Sequence, residues 1–371
     1  MTRRYRQTMK GTFFGDFVYD QVIPPSHFLV QLDKVIDWEP FTGTLVESYK
    51  GKAERGEVPY NPVMILKMLL LAYLYGMSER QTEEFCTYHL AAKAFVGLGV
   101  TDAAPDHSTL CLFRMRLFAH GGTAAYEELF DMIIGEAKDA GVEFGKVQLV
   151  DAVHTEADVN VEKDRIRHER GQPLADPDAT VVHKGEREVT KADLTTRTEK
   201  VMHRGYKTHV SMDAETLMVT SIKPTLGNVA DNTQLPGLVR HDAEMGIPGE
   251  TYAADRAYDD GDLHAMLDSL GKHSALKLNK YRTQKKDQNK QRWIDQLADP
   301  CYQAGQRVRG RIEAKFGEAK AWHRFGRCRY RGLDRFKMQS YLTFMVLNLK
   351  RLVLLVTGMR LRPLAKHLKT A

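Results

Sequence analysis

The period of the sequence changes near residue 146, and that change constrains the fold more than any other feature. Residues from about 60 to 140 carry helical apolar spacing only. Beyond 146, short apolar runs alternate with helical stretches. Strands are expected at 147–153, 206–212, 217–224, 251–255 and 275–278, with 213–216 (Asp-Ala-Glu-Thr) as a hairpin turn. Helices are expected at 228–241, 260–270, 303–322 and 334–356. The order is three strands, helix, strand, helix, strand, helix.

That order matches a ribonuclease-H-like arrangement: α/β, a mixed five-stranded sheet with flanking helices. The first and fourth strands are neighbours in such a sheet. Asp151 ends Val147-Gln148-Leu149-Val150 and Asp255 ends Tyr252-Ala253-Ala254. The two would stand side by side at the edge where α/β sheets bind ligands. An all-α DNA-binding domain is expected to precede this one. In it, Asn61-Pro62 supplies an N-cap and a first-turn proline, Ser78 opens a second helix, and Gly97-Leu98-Gly99 breaks the chain. Pro105-Asp106-His107-Ser108 then opens a third. The three helices fit a helix-turn-helix or a plain bundle. The boundaries expected are an irregular arm with short helices over 1–45, the helical domain over 46–140, and the catalytic domain over 145–330. A charged insertion falls near 160–200, a lysine-rich linker over 280–292, and a basic helical segment packed on the catalytic domain over 331–371.

Net charge is +6, and its distribution is uneven. From residue 301 onward there are 17 Lys/Arg against 3 Asp/Glu, a balance of +14, so the residues before it carry −8. Arginines alternate with aromatics in Trp322-His323-Arg324-Phe325-Gly326-Arg327-Cys328-Arg329-Tyr330-Arg331, a pattern suited to phosphate and base. Arg324, Arg327, Arg329 and Arg331 are therefore candidate DNA contacts. No apolar run reaches the roughly 20 residues of a membrane helix. Residues 65–75 and 342–356 read as buried core helices. Cys86, Cys111, Cys301 and Cys328 have neither zinc-site spacing nor a disulfide framework. A reducing cytoplasm and no secretory signal are expected.

Asp151, Asp255 and Glu313 are the candidate catalytic and metal-binding residues. Mg²⁺ prefers hard oxygen ligands, and two ions about 3.5–4 Å apart can activate a nucleophile and stabilise a leaving oxygen. A basic chain with these carboxylates points to two Mg²⁺ held against a nucleic-acid phosphate, with Mn²⁺ able to substitute. On one continuous helix, Gln306, Arg309, Glu313 and Lys320 fall within a stripe of roughly 60°. Glu313 would ligate metal, and Arg309 and Lys320 would hold DNA phosphates beside it. His154, His203, His209 and His323 read as packing or phosphate-contact residues, and Glu156 as an auxiliary carboxylate or a surface group.

These residues resemble the DDE transposases of bacterial insertion sequences, in the group centred on the insertion-sequence-four and insertion-sequence-five families. The likeness covers most of the chain: 62–80, 95–99 and 105–110, then Val150-Asp151, Gly205-Tyr206-Lys207-Thr208-His209, Asn228-Val229-Ala230-Asp231-Asn232 and Ala254-Asp255-Arg256-Ala257-Tyr258-Asp259. The closing segments 309–320, 329–333 and 348–351 have the same look. The family's third-carboxylate signature is Tyr, two residues, Arg, three residues, Glu, six residues, Lys. Arg309, Glu313 and Lys320 match it, and Gln306 stands where the tyrosine would be. The resemblance implies DNA contacts by Gln306, Arg309, Lys320 and Lys207. It implies cleavage at terminal inverted repeats by metal-activated water, then attack of the freed 3′-hydroxyl on double-stranded target DNA. It also implies a homodimer or higher multimer that pairs the element ends. A ribonuclease-H-like nuclease that cuts without joining and a catalytically idle DNA-binding regulator are the alternatives.

Overall fold

The computed structural model describes Tyr5 and residues 13–48, 58–190, 196–279 and 294–361. The expected lysine-rich linker lies almost wholly outside the described residues. The chain divides into two units: Met1–Glu143 with Tyr341–Ala371, and Phe144–Ser340.

The first unit is helical. Its elements are α1 (Phe13–Val22), α2 (Phe28–Val35), α3 (Glu39–Glu47), α4 (Pro62–Leu74), α5 (Glu79–Tyr88), α6 (Leu90–Val96), α7 (His107–Gly121) and α8 (Ala124–Asp139). The expected caps are present. Asn61 accepts from the Val63 N–H, Ser78 and Gln81 form a capping box, Gly97 takes a left-handed φ of 86° after α6, and Asp106 caps α7. Every residue of α4 is buried. Its one cation, Lys67, pairs with Asp33 and lies over the rings of Trp38 and Phe95, at 4.8 and 5.0 Å. The short helices expected in the arm are present as α1, α2 and α3, with Phe28, Leu29, Leu32, Phe41 and Leu45 buried in the last two. Helices α4 and α5 meet at 110° across residues 75–78, the geometry of a helix-turn-helix. Helix α5, however, carries Glu79, Glu83 and Glu84 against one arginine, Arg80.

The second unit is α/β. Strand β1 (Val147–Glu156) pairs antiparallel with β3 (Thr196–Asp213) and parallel with β5 (Thr251–Ala254), and β5 pairs parallel with β6 (His273–Leu276). Strand β4 (Val219–Leu226) covers the other side of β3. Together β4-β3-β1-β5-β6 form the expected mixed five-stranded sheet with the first and fourth strands adjacent. A sixth strand, β2 (Thr180–Thr190), corrects that count. It pairs with the first half of β3 inside the expected charged insertion, which also holds α9 (Val161–Glu169). A buried polar knot holds the insertion. Arg204 donates to Asp164 Oδ2 at 2.6 Å and to the Asp176 carbonyl at 2.7 Å, and the Tyr206 hydroxyl donates to Asp176 Oδ1. Gly205 sits where β3 changes partners; a Cβ there would lie 2.1 Å from the Thr155 carbonyl oxygen.

Helices α10 (Leu235–Glu244) and α11 (Gly261–Ser269) cover one face of the sheet, with Val150, Leu238, Val239, Tyr252, Leu267 and Leu276 in their shared core. Helix α12 (Pro300–Val308) packs on β5 and β6, and α13 (Arg311–His323) on β1. The last helix, α14 (Leu333–Thr357), corrects the expected boundary. Its first turns belong to the α/β unit, where Phe336 stacks on Tyr206 at 4.8 Å. From Tyr341 onward it belongs to the helical unit. It is long and apolar enough to cross a membrane, but 67% of that window is buried inside the protein, as for a core helix.

Candidate active site

The parallel register of β1 and β5 aligns Leu149 with Ala253. Two residues further along, the same register sets Asp151 level with Asp255. Strand β5 stops at Ala254 while β1 continues to Glu156, so Asp255 stands where the chain turns away. Its Oδ1 accepts from the Ala257 N–H at 2.8 Å and caps the turn Arg256–Tyr258. Asp151 Oδ1 accepts from the Ala152 N–H at 2.8 Å. Burial raises the Asp151 pKa to about 6; Asp255 and Asp231 push it the same way, while the Ala152 bond and the Arg309 charge oppose them. Among the described residues neither Asp151 nor Asp255 makes an ion pair. Two hard-oxygen donors with their mutual repulsion unrelieved suit a divalent cation.

Glu313 is not gathered with Asp151 and Asp255 into one cluster of ligand atoms within 4.8 Å among the described residues; the link between them is Arg309. The continuous helix predicted over 303–322 is broken at Arg309-Gly310 into α12 and α13. Both residues at the break keep right-handed helical dihedrals; Gln306 belongs to the helix before it and Glu313 to the one after. Arg309, at the elbow, joins the parts. Its Nη2 donates to Glu313 Oε1 at 3.2 Å, and its charge acts on Asp151. The Glu313 side chain is 62% exposed.

Two residues expected on DNA are committed inside the protein. Gln306 Nε2 donates to the carbonyls of Ala254, at 3.1 Å, and Ala275, at 2.5 Å, tying α12 across the ends of β5 and β6. Lys207 Nζ donates to Asp231 Oδ1 at 2.9 Å and to the Val229 carbonyl at 3.1 Å. Both are half-buried, so satisfying their donors locally costs less than leaving them open.

The basic stretch after α13 is mixed in use. Lys320, Arg324, Arg327 and Arg331 are exposed and Arg329 is half-buried. Arg327 and Arg331 converge on Asp158, through its Oδ1 and its carbonyl. Phe325 is a core residue rather than a stacking platform, packed against Phe336. The segment docks on the end of β1: Glu156 N–H donates to the Gly326 carbonyl and Cys328 N–H to the Glu156 carbonyl. The Glu156 side chain faces His203, at 3.0 Å. His209 and His323 are fully buried and His154 nearly so.

The sequence reading left out two site groups, Asp231 and Tyr258. Asp231 lies before α10, and its charge acts on Asp151. Tyr258 lies in the turn after Asp255 and is fully buried. Both stood in quoted motifs, but only the folded chain brings them to the acidic edge.

Two family models match the chain. A model described as Transposase domain (DUF772) matches residues 17–116, and one described as Transposase DDE domain matches residues 169–349. The second span contains Asp255 and Glu313 and begins after Asp151.

Proposed function

We infer that this chain, which belongs to the DDE transposases of insertion sequences, binds the terminal inverted repeats of its element, cuts at their ends and joins the 3′-hydroxyls to target DNA. Membership of that family makes it a DNA-acting, divalent-metal-dependent enzyme; the two steps and the repeats are our reading. So are its placement near the insertion-sequence-four and insertion-sequence-five families, a cytoplasmic setting, and assembly as a dimer or higher multimer.

One observation carries the reading. Asp151 on β1 and Asp255 just past the end of β5 each follow by two residues the aligned pair Leu149 and Ala253, and Arg309, whose charge acts on Asp151, also holds Glu313. Asp151, Asp255 and Glu313 would hold Mg²⁺, or Mn²⁺ in its place. Bound there, the metal supplies a nucleophile at neutral pH and charge stabilisation of the phosphate oxygens. The protein's share is positional. Strand β1 fixes Asp151 rigidly, and the turn at Arg256–Tyr258 fixes Asp255 by a backbone hydrogen bond. Arg309 restrains Glu313 and lowers the repulsion between carboxylates. Lys320, Arg324, Arg327 and Arg331, with Arg329 behind them, offer cations to the DNA backbone on the α13 side.

The test is a cleavage and joining assay on labelled DNA carrying the element's ends, with Mg²⁺, comparing wild type with Glu313→Ala. Nicked and joined products that both vanish in the variant are expected. Nicking with no joining of pre-cut ends would replace the reading with a nuclease. Binding with no metal-dependent cutting would replace it with a regulator.

A further inference from the structure

Asp231 and Tyr258 approach the acidic edge from the face of the sheet opposite Arg309 and Glu313. Register carries this argument. Asp151 pairs with Val210 and shares a face with Leu149, whereas Val150 belongs to the opposite face, in the core beneath α10 and α11 with Tyr258. Gly305 of α12 packs on Ala253 and Ala275, on the Leu149 side.

The Tyr258 hydroxyl is buried and has no hydrogen-bond partner among the described residues. The charges of Asp231, Asp151 and Asp255 all act on it. A buried hydroxyl without a partner is unfavourable, and native structures rarely leave one so. Asp231 is half satisfied. Its Oδ1 takes Lys207 Nζ at 2.9 Å and faces His209 Nδ1 at 3.6 Å, while Oδ2 has no partner among the described residues. An orphan hydroxyl and a half-free carboxylate thus lie within electrostatic reach of Asp151 and Asp255, neither of which makes an ion pair among the described residues. A ligand bearing several hydrogen-bonding oxygens would satisfy all of them.

We propose that Asp231 and Tyr258 are positioning residues for the hydration shell of the divalent cation at Asp151 and Asp255. Tyr258 and Asp231 Oδ2 hydrogen-bond water carried by the ion, and Lys207 keeps Asp231 out of direct ligation. The proposal rests on the metal reading given above. Its chemical basis is that Mg²⁺ dehydrates reluctantly and keeps several waters, which outer partners must orient. The already neutralised Asp231 suits that outer role better than a ligand's.

Titration of Mn²⁺ into the full-length protein, followed by the electron-spin signal of the free ion, tests this without DNA. Asp151→Asn is the control and should lose binding. Tyr258→Phe and Asp231→Asn should each weaken it about tenfold. Metal-free Tyr258→Phe should melt no lower than wild type, because its hydroxyl has no protein partner to lose. Unchanged affinity in both variants, with binding lost in Asp151→Asn, would overturn this proposal and leave the metal site standing. A lower metal-free melting temperature for Tyr258→Phe would also overturn it, by revealing a structural partner. No Mn²⁺ binding by the wild type would overturn both readings.

Discussion

Asp151 is buried beside a second carboxylate, and this sets how the site responds to pH. Its folded pKa, about 6, lies above the ordinary 3.8. The group therefore favours the folded state when protonated. That contribution is complete below the ordinary carboxylate range and is lost as pH rises through about 6. A cation needs the deprotonated form. Mn²⁺ affinity measured by calorimetry should accordingly fall as pH drops below about 6, a higher midpoint than exposed carboxylates would give. Arg309→Ala should move that midpoint upward, since the Arg309 charge, after the Ala152 hydrogen bond, opposes the rise. A midpoint in the usual carboxylate range would show that Asp151 is not the group that gates metal entry.

At the scale of elements, the seating of α12 on the sheet sets where α13 and Glu313 begin. Helix α12 lies so close to the sheet that a Cβ on Gly305 would meet the Ala275 Cβ at 2.7 Å and the Ala253 Cβ at 3.1 Å. Neither neighbour is a flexible chain end that can swing away. Gly305→Ala should push α12 outward and strain the Gln306 bonds to Ala254 and Ala275. The expected cost is about 1–3 kcal/mol in denaturant unfolding, with a loss of cleavage larger than the stability change explains. Wild-type stability in that variant would mean that the helix has room to shift. The hairpin turn shows the opposite case, an element whose cause is local. Asp213 Oδ2 accepts from both the N–H and the hydroxyl of Thr216, only three residues further on.

Across the whole molecule, charge is segregated along the chain: −8 before residue 301 and +14 after it. Much of the basic side is exposed at Lys320, Arg324, Arg327 and Arg331. Binding to double-stranded DNA should therefore weaken steeply with salt. Replacing Arg324, Arg327 or Arg331 by Gln should each reduce the log–log slope by about 1 if that side chain meets a phosphate. A slope that does not move would assign the arginine to its contact with Asp158 or to solvent. The acidic α5, which follows α4 at 110°, is a poor phosphate contact by the same reasoning.

The caps of α4, α5 and α7, the hairpin turn and the strand order were legible in the sequence because each depends on near neighbours or on periodicity. A carboxylate closing an apolar run marks Asp151 and Asp255 locally, and strand order sets them on neighbouring strands, but Asp151 lies inside β1 rather than at its end. What the sequence could not carry was anything decided by distant partners. The strand β2 is polar, and its insertion is held by Arg204, Asp164 and Asp176. The break at Gly310 interrupts a pattern that still reads as helical. Gln306 and Lys207 look like free DNA contacts until the carbonyls of Ala254 and Ala275 and the carboxylate of Asp231 are brought to them. Tyr258 reads as an ordinary core aromatic, and only folding sets its hydroxyl among three carboxylates. Local bonding and apolar period are written residue by residue, whereas satisfaction of a buried polar group depends on which distant atoms the fold delivers.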